Sequence, residues 1–205
     1  SKEVRVASNK GEIIRNMALV GHSGSGKTML AEAMLSKGGE LNRLGKVSDG
    51  TTVSDSDLDE KEGKKSFYSA LLHTMWKGRD INILDTPGSA DFIGQVYGAL
   101  SVVELALITV NAAAGIEVGT RKAWELVKQQ GCACMFVITR MDAENARFDE
   151  VVSALQETFG PACTPLMLPV GSGGNFRGVV NLLHPGEVPD TMQESVETHC
   201  GVLME

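Results

Sequence analysis

The segment GHSGSGKT at residues 21–28 has the spacing G-x-x-x-x-G-K-T of a phosphate-binding loop. An apolar run precedes it and the helix-like MLAEAML follows, so the loop is predicted to join a strand to a helix. Its glycines let the backbone turn N–H groups inward toward phosphate oxygens. Lys27 would reach the β- and γ-phosphates, and the Thr28 hydroxyl would bind magnesium. The alternative is a chance Gly-Ser turn before a helix. The predicted nucleotide-binding residues here are Gly21, His22, Ser23, Gly24, Ser25, Gly26, Lys27 and Thr28.

A second motif, DTPGSAD at residues 85–91, follows a short apolar strand. Asp85 can hold magnesium through a water molecule, while the Gly88 N–H meets a γ-phosphate. Loss of that phosphate would release the Pro-Gly corner, which makes the segment a candidate switch. An unrelated D-x-P-G turn is the alternative.

A third motif, TRMD at residues 139–142, also follows a strand pattern. The Asp142 carboxylate can accept hydrogen bonds from the N1 and N2 donors of guanine, which adenine does not offer in that arrangement. Thr139, Arg140 and Asp142 are therefore predicted to contact the base.

Alternating strand and helix patterns predict an α/β fold of the P-loop NTPase class, with a mostly parallel sheet and helices on both faces. Predicted strands cover 13–20, 66–76, 81–85, 105–110 and 132–139, and predicted helices cover 27–36, 90–102, 116–130 and 148–159. The strands at 66–76 and 81–85 are predicted to form a hairpin across KGRD. Ligands of such folds bind at the carboxyl ends of the strands, so the three motifs are expected to meet at one site.

Three other stretches complete the predicted organisation. Residues 1–12 are expected to be a flexible arm or tag remnant, and residues 38–65 a functional loop or a disordered segment. Beyond residue 148, TPLMLPV and FRGVVNLL are predicted to form a second strand pair, and 189–205 a helix. No internal repeat is visible.

Composition narrows the class of protein. The 205 residues have an ordinary apolar fraction of 42% and a net charge of −7, which does not favour direct DNA binding. No apolar run reaches the length of a membrane span, and residues 1–10 lack a signal-peptide core, so the default prediction is a cytoplasmic protein without membrane contact.

The cysteine pattern gives little evidence of a metal site. Cys132 and Cys134 lie on one face of a predicted strand, and no second close pair completes a zinc site. Buried free thiols are the favoured interpretation, with metal ligation as the alternative. The four histidines are scattered along the chain.

These motifs, together with DGTTVSD, AAAGIEVGTRKAWE and FRGVVNLL, resemble the GTPase domain of bacterial translation elongation factor G, and more closely its elongation-factor-G-like paralogues. The resemblance implies GTP or GDP as ligand, magnesium as cofactor, and the ribosome as partner through the full-length protein. It implies a first switch within 38–66 and a second at about 85–95. It also implies a GTPase domain at 13–147 followed by the start of an inserted α+β subdomain at 148–205, which is expected to be truncated.

Three departures from the family pattern concern chemistry. Ser89 stands where a histidine usually positions the attacking water, so hydrolysis is expected to be slower while nucleotide binding persists. Thr139 and Arg140 replace the asparagine and lysine of N-K-x-D, so guanine preference is expected to persist in weaker form. Ser66 takes the place of the threonine that contacts magnesium and the γ-phosphate. The implied metal residues are Thr28, Ser66 and Asp85, and the implied catalytic positions are Lys27 and Ser89.

The leading hypothesis is a GTP-binding domain of an elongation-factor-G-like translational GTPase that switches conformation on the ribosome. Because the first switch meets the ribosome in the family, Lys61, Lys64 and Lys65 of that loop are candidates for ribosomal RNA contact. The alternative is a nucleotide-binding regulatory module with vestigial hydrolysis. A P-loop ATPase or small-molecule kinase is disfavoured by DTPG followed by TRMD.

Overall fold

The computed structural model describes residues 11–204 in two compact units. One unit comprises residues 11–109 and 118–135, and the other comprises 110–117 and 136–204. Residues 1–10, most of the predicted arm, lie outside the described range. The predicted boundary between residues 147 and 148 stays a prediction.

A five-stranded sheet forms the framework that carries the candidate site. Its strands are β1 (Ile14–Gly21), β2 (Ala70–Trp76), β3 (Arg79–Asp85), β4 (Leu105–Asn111) and β5 (Ala133–Thr139), in the spatial order β2-β3-β1-β4-β5. Strand β1 is parallel to β3 and β4, whereas β2 is antiparallel to β3. The prediction of an α/β fold with a mostly parallel sheet is confirmed.

Helices cover both faces of the central strand. The helices of this unit are α1 (Lys27–Gly38), α2 (Leu58–Gly63), α3 (Ile93–Leu100) and α4 (Val118–Gln130). Helix α1 contacts β1, β2 and β3, while α3 and α4 contact β1 and each other. Consecutive residues of a strand point to opposite faces, and Ala18, Leu19 and Val20 are all fully buried. Strand β1 is therefore covered on both sides, as its apolar run predicts.

The segment at 38–65, predicted as a functional loop or a disordered stretch, includes some regular secondary structure, and its role as a functional loop stays a prediction. It contains a 3₁₀ turn at Val47–Asp49 and the short helix α2, and it buries several polar side chains. Asp57 begins α2 in a capping box with Glu60. Several of its polar groups are paired within the protein, which its hydrophilic composition does not reveal.

The predicted hairpin is confirmed, but its first strand begins at Ala70 and not at residue 66. The Glu60 carboxylate accepts the backbone N–H groups of Phe67 at 2.9 Å and Tyr68 at 3.1 Å. These donors are then not available for the strand ladder. The turn is also shorter than KGRD: Lys77 and Gly78 have positive φ angles of 47° and 76°, and β3 begins at Arg79.

Two predicted helices begin later than expected. The segment predicted at 90–102 starts as a 3₁₀ turn, Ala90–Phe92, before α3, and α4 begins at Val118 instead of residue 116. Helix α1 extends two residues beyond its predicted end, to Gly38. These differences leave the motifs at the same ends of their strands.

The second unit contains the elements predicted beyond residue 148. Helix α5 occupies Phe148–Phe159, the boundaries predicted from sequence, and β6 (Met167–Val170) pairs antiparallel with β7 (Gly178–Asn181). A 3₁₀ turn at Asp190–Met192 leads into α6 (Gln193–Met204). This unit has one buried apolar cluster of Leu168, Val180, Leu182 and Val196 and another of Val110, Val151 and Leu155.

Cys132 and Cys134 form no disulfide, but the expectation that they are buried is wrong, since both are only partly buried. Cys132 precedes β5, and β5 is the last strand in the sheet order, where side chains are less completely covered. The Cys132 thiol donates to the Leu100 carbonyl at 3.2 Å.

Candidate nucleotide-binding site

The phosphate loop joins the end of β1 to the start of α1, as the motif predicts. Gly24 and Gly26 have φ angles of 75° and 94°, a conformation that side chains with a Cβ rarely adopt. The Ser25 hydroxyl donates to the His22 carbonyl at 2.7 Å and hydrogen-bonds the Thr109 hydroxyl at 2.6 Å. The loop is thus anchored to β4 by a buried hydroxyl pair.

Lys27 lies inside this loop and is 6% exposed. Its ammonium group donates to the carbonyl of Gly21 at 3.1 Å and to that of His22 at 2.8 Å. A lysine held at the first turn of a helix, beside a curled backbone, concentrates positive charge at the helix N-terminus. The arrangement suits an anion with several oxygens, such as a polyphosphate.

The Pro-Gly corner of DTPG lies directly against the phosphate loop. A Cβ added to Gly88 would be 2.5 Å from the Lys27 ammonium nitrogen and 2.7 Å from the Ser23 backbone nitrogen. No side chain fits there without displacing the loop. The structure therefore brings the second motif to the first through a contact that requires glycine.

Asp85 is the buried acid of the site. It is 1% exposed, and within residues 11–204 neither of its carboxylate oxygens has a hydrogen-bond partner of good geometry. Burial raises the pKa of Asp85 from 3.8 to about 6, opposed in part by the hydroxyls of Thr28 and Ser54 and by the charge of Lys27. A buried carboxylate with free oxygens next to a loop that suits phosphate fits a hard divalent cation such as magnesium.

The structure brings Ser66 to Thr28 across 38 residues of sequence, with their hydroxyl oxygens 3.4 Å apart. Ser66 also donates to the Asp55 carboxylate at 2.6 Å. The three residues implied as metal ligands, Thr28, Ser66 and Asp85, thus belong to one neighbourhood. Among residues 11–204, no cluster of three or more His, Cys, Asp or Glu side chains could hold a metal, so a magnesium ion here would depend on hydroxyls and phosphate oxygens as well.

Sequence reasoning missed the acids that organise the segment predicted to be the first switch. Buried Asp55 accepts from Ser66 and from the Thr52 hydroxyl, the latter at 3.2 Å. Glu32 of α1, 1% exposed, accepts the backbone N–H groups of Gly45 at 2.8 Å and Val53 at 2.6 Å. The available signal for Glu32 was an acid within the otherwise apolar run MLAEAML.

His22 and Ser89 have partners of their own. The His22 ring accepts the Gly119 backbone N–H at its Nδ1 atom, at 3.3 Å, which links the phosphate loop to the start of α4. The Ser89 hydroxyl donates to Asp91 at 3.2 Å. Ser89 thus lies directly after the Pro-Gly corner, with a hydroxyl bonded to the next turn of its own segment.

The predicted base-contacting segment follows β5 in the second unit. The Thr139 hydroxyl donates to the Val110 carbonyl at 3.2 Å, and Arg140 has a φ angle of 57°. Arg140 and Asp142 are exposed, whereas Met141 between them is buried. The alternation directs the two charged side chains outward, as base contact requires. The predicted meeting of this segment with the phosphate loop stays a prediction.

Comparison with known proteins identifies the class to which this fold and loop belong. A family model described as the elongation factor Tu GTP binding domain matches residues 12–201, so the chain belongs to that family. It is a GTP-binding domain of the translational GTPase type, which confirms the resemblance derived from the motifs.

Several relatives and one solved structure support this assignment. The chain is 36% identical over 170 residues to an elongation factor G-like protein of Thermotoga maritima, covering 83% of this chain and 24% of that protein. It is 33% identical to peptide chain release factor 3 of Lactococcus lactis, covering 83% and 33%. A crystal structure of a Thermus thermophilus protein matches 94% of this chain and 31% of its own, with a TM-score of 0.87 and 33% identity.

The chain spans about a quarter of the length of the elongation factor G-like relatives. Among the described residues, none of the helices is both long and apolar enough to cross a membrane.

Proposed function

We propose that this chain binds GTP and GDP with magnesium and changes conformation with the state of the nucleotide, as part of an elongation-factor-G-like translational GTPase that acts on the ribosome in the cytoplasm. Residues 13–147 form its GTPase domain, and residues 148–205 begin an inserted subdomain. The observation that carries the proposal is the buried Asp85 carboxylate, without a partner in the described part of the chain, next to Thr28 and Lys27.

Each motif has a role in this proposal. Residues 21–28 hold the phosphates, with Lys27 contributing the positive charge, and the N–H of Gly88 meets the terminal phosphate. Thr28, Ser66 and Asp85 hold magnesium, which when bound neutralises charge on the phosphate oxygens. Thr139, Arg140 and Asp142 contact guanine. Because Ser66 and Gly88 belong to the two predicted switch segments, release of the terminal phosphate would free both.

Nucleotide competition tests the binding proposal. Calorimetry should give tighter binding of GDP than of ADP to the chain, with an affinity that falls when magnesium is chelated. Thr28→Ala should reduce the magnesium dependence, and Thr51→Ala, an exposed threonine of the switch segment, serves as its control. Equal affinities for GDP and ADP would overturn guanine recognition.

Membership of the family supports the proposal of GTP hydrolysis and of action on the ribosome. Both are tested on the full-length protein. GTP turnover should increase on addition of ribosomes and fall with salt if Lys61, Lys64 and Lys65 contact RNA. All three lysines are exposed. Replacing them together by glutamine should weaken ribosome stimulation without changing GDP affinity.

A second function is favoured by Ser89. Serine cannot place an imidazole against an attacking water, and its hydroxyl is bonded to Asp91. The chain would then be a nucleotide-binding regulatory module with vestigial hydrolysis. Strong ribosome stimulation of turnover excludes this alternative, whereas an increased rate in Ser89→His identifies water positioning as the missing function.

A further inference from the structure

The Ser66 hydroxyl occupies a position between an acid and a threonine hydroxyl. Its oxygen lies 2.6 Å from Asp55 Oδ1, to which it donates, and 3.4 Å from Thr28 Oγ1. A serine hydroxyl has one proton and two lone pairs. Because the proton points to Asp55, the lone pairs are directed to other neighbours, among them the side on which Thr28 lies.

Asp55 is itself held in a defined orientation. It is 2% exposed, and its second carboxylate oxygen accepts the hydroxyl proton of Thr52 at 3.2 Å. Thr52 is also buried. Both oxygens of this carboxylate therefore have hydroxyl donors, so the carboxylate cannot rotate away from Ser66 without losing buried hydrogen bonds.

The charge around Asp55 also suggests a ligand. It is close enough to Asp85 for the two charges to interact, and both side chains are buried. Two buried carboxylates that repel each other are costly unless a cation lies between or beside them. The position of Asp55 is thus consistent with a divalent ion on the Thr28 side of Ser66.

We propose that Asp55 is a positioning residue for the magnesium-bound triphosphate: it accepts the Ser66 proton, so that Ser66 presents a lone pair to the metal. This inference rests on the proposed function, in which Ser66 contacts the metal when GTP is bound. Removal of the charge on Asp55 should weaken metal binding in the GTP state and leave the GDP state nearly unchanged.

Asp55→Asn tests the inference because it preserves the shape of the side chain. In the full chain, the magnesium concentration for half-maximal binding of a non-hydrolysable GTP analogue should rise about tenfold, the size expected for one charged hydrogen bond. The magnesium requirement for GDP should change less than twofold. Asp59→Asn is the matched control, since it removes one charge from an exposed acid of the same segment.

A double-mutant cycle identifies the route of the effect. Ser66→Ala should raise the magnesium requirement on its own, and adding Asp55→Asn to Ser66→Ala should have little further effect. Ser66→Thr, which keeps the hydroxyl, should retain the dependence on Asp55. Additive effects of Asp55→Asn and Ser66→Ala would overturn the positioning role.

The outcomes separate this inference from the proposed function. A chain that binds no guanine nucleotide contradicts the proposed function. A chain that binds GTP with magnesium but is unaffected by Asp55→Asn contradicts the positioning role alone. Equal loss of GTP and GDP binding would show that Asp55 is merely structural and also overturns the inference.

Discussion

The rings of Phe67 and Phe92 meet edge to face, with centroids 5.3 Å apart and an angle of 61° between their planes. Phe67 follows Ser66 at the end of the first predicted switch, and Phe92 lies in the second. The Ser69 N–H also donates to the Gln95 side chain at 3.3 Å, which adds a polar contact between the same segments. The two segments are therefore joined by a ring contact and a hydrogen bond, and neither of these involves the phosphate loop or Asp85.

The first prediction concerns this aromatic pair. Phe67→Leu and Phe92→Leu should each lower the free energy of unfolding, and their double mutant should show a coupling of about 0.5–1.5 kcal/mol, as edge-to-face pairs do. Chemical denaturation of the wild type, the two single variants and the double variant measures this coupling energy. Phe136→Leu, which removes a ring from the stacked pair with Phe159 in the other unit, should show no coupling to Phe92→Leu.

The second prediction concerns the close approach of Gly88. Gly88→Ala should reduce nucleotide affinity at least tenfold, because the new methyl group would overlap the Ser23 backbone as well as the Lys27 ammonium group. Lys27 can move, but the backbone of a tight loop cannot move cheaply. Calorimetric titration with GDP measures the loss. Gly98→Ala is the control, since a Cβ there meets nothing within 4 Å; unchanged affinity in Gly88→Ala would contradict the assigned contact.

The third prediction is a pH dependence caused by Asp85. Its pKa is raised in the folded protein, from 3.8 to about 6, so the folded state binds the proton more tightly than the unfolded state. Its contribution to stability is fully present below pH 3.8 and is lost as the pH rises through 6. Without nucleotide and metal, Asp85→Asn should remove this dependence and increase stability at pH 7 by up to about 3 kcal/mol.

Denaturant titrations between pH 4 and pH 8 in the presence of a chelator check the Asp85 prediction. Asp91→Asn, at an exposed acid close in sequence, is the control and should retain the wild-type pH profile. An identical pH profile in Asp85→Asn and the wild type would contradict the prediction that Asp85 causes the pH dependence of stability. The same Asp85→Asn protein should bind GDP with weaker magnesium dependence.

The fourth prediction concerns Glu32, which anchors two backbone N–H groups of the first switch segment. Glu32→Gln places an amide donor against one of these N–H groups. The free energy of unfolding should fall by about 1–3 kcal/mol. Because only the segment near Gly45 and Val53 depends on it, hydrogen exchange should increase there more than in β1 or β3. Glu40→Gln, at an exposed glutamate just beyond α1, is the control; uniform exchange changes across the sheet would argue against a local anchor.

Much of the fold could be predicted because its signals are local. The apolar run before the phosphate loop predicted a strand buried on both faces, and the pattern from Phe148 to Phe159 predicted α5 at its observed boundaries. The start of β2 could not be predicted in the same way. Its first residues alternate like a strand, but Glu60 binds two of their N–H groups, and alternation carries no information about that competing acceptor.

In the candidate site, too, local motifs could be predicted from sequence, whereas contacts between distant residues could not. The phosphate loop, the DTPG corner and the TRMD motif could be predicted from sequence, because each motif is contiguous and its backbone conformation depends on neighbouring residue types. The family resemblance pointed to Ser66, and its motif DGTTVSD ends on Asp55, but no role was assigned to that acid. Ser66 is 38 residues from Thr28, so no short contiguous motif contains both.

The tertiary structure was needed to show that Ser66 contacts both Thr28 and Asp55. It was also needed to show that Glu32 and Glu60 bind backbone N–H groups within residues 45–68, and that Gly88 lies close to Lys27. The physical reason is that buried polar groups must find partners, and those partners can come from any part of the chain that folding brings near. Local sequence specifies the elements and the loop that binds an anion. The pairing of buried acids with hydroxyls and backbone N–H groups around that loop depends on the complete fold.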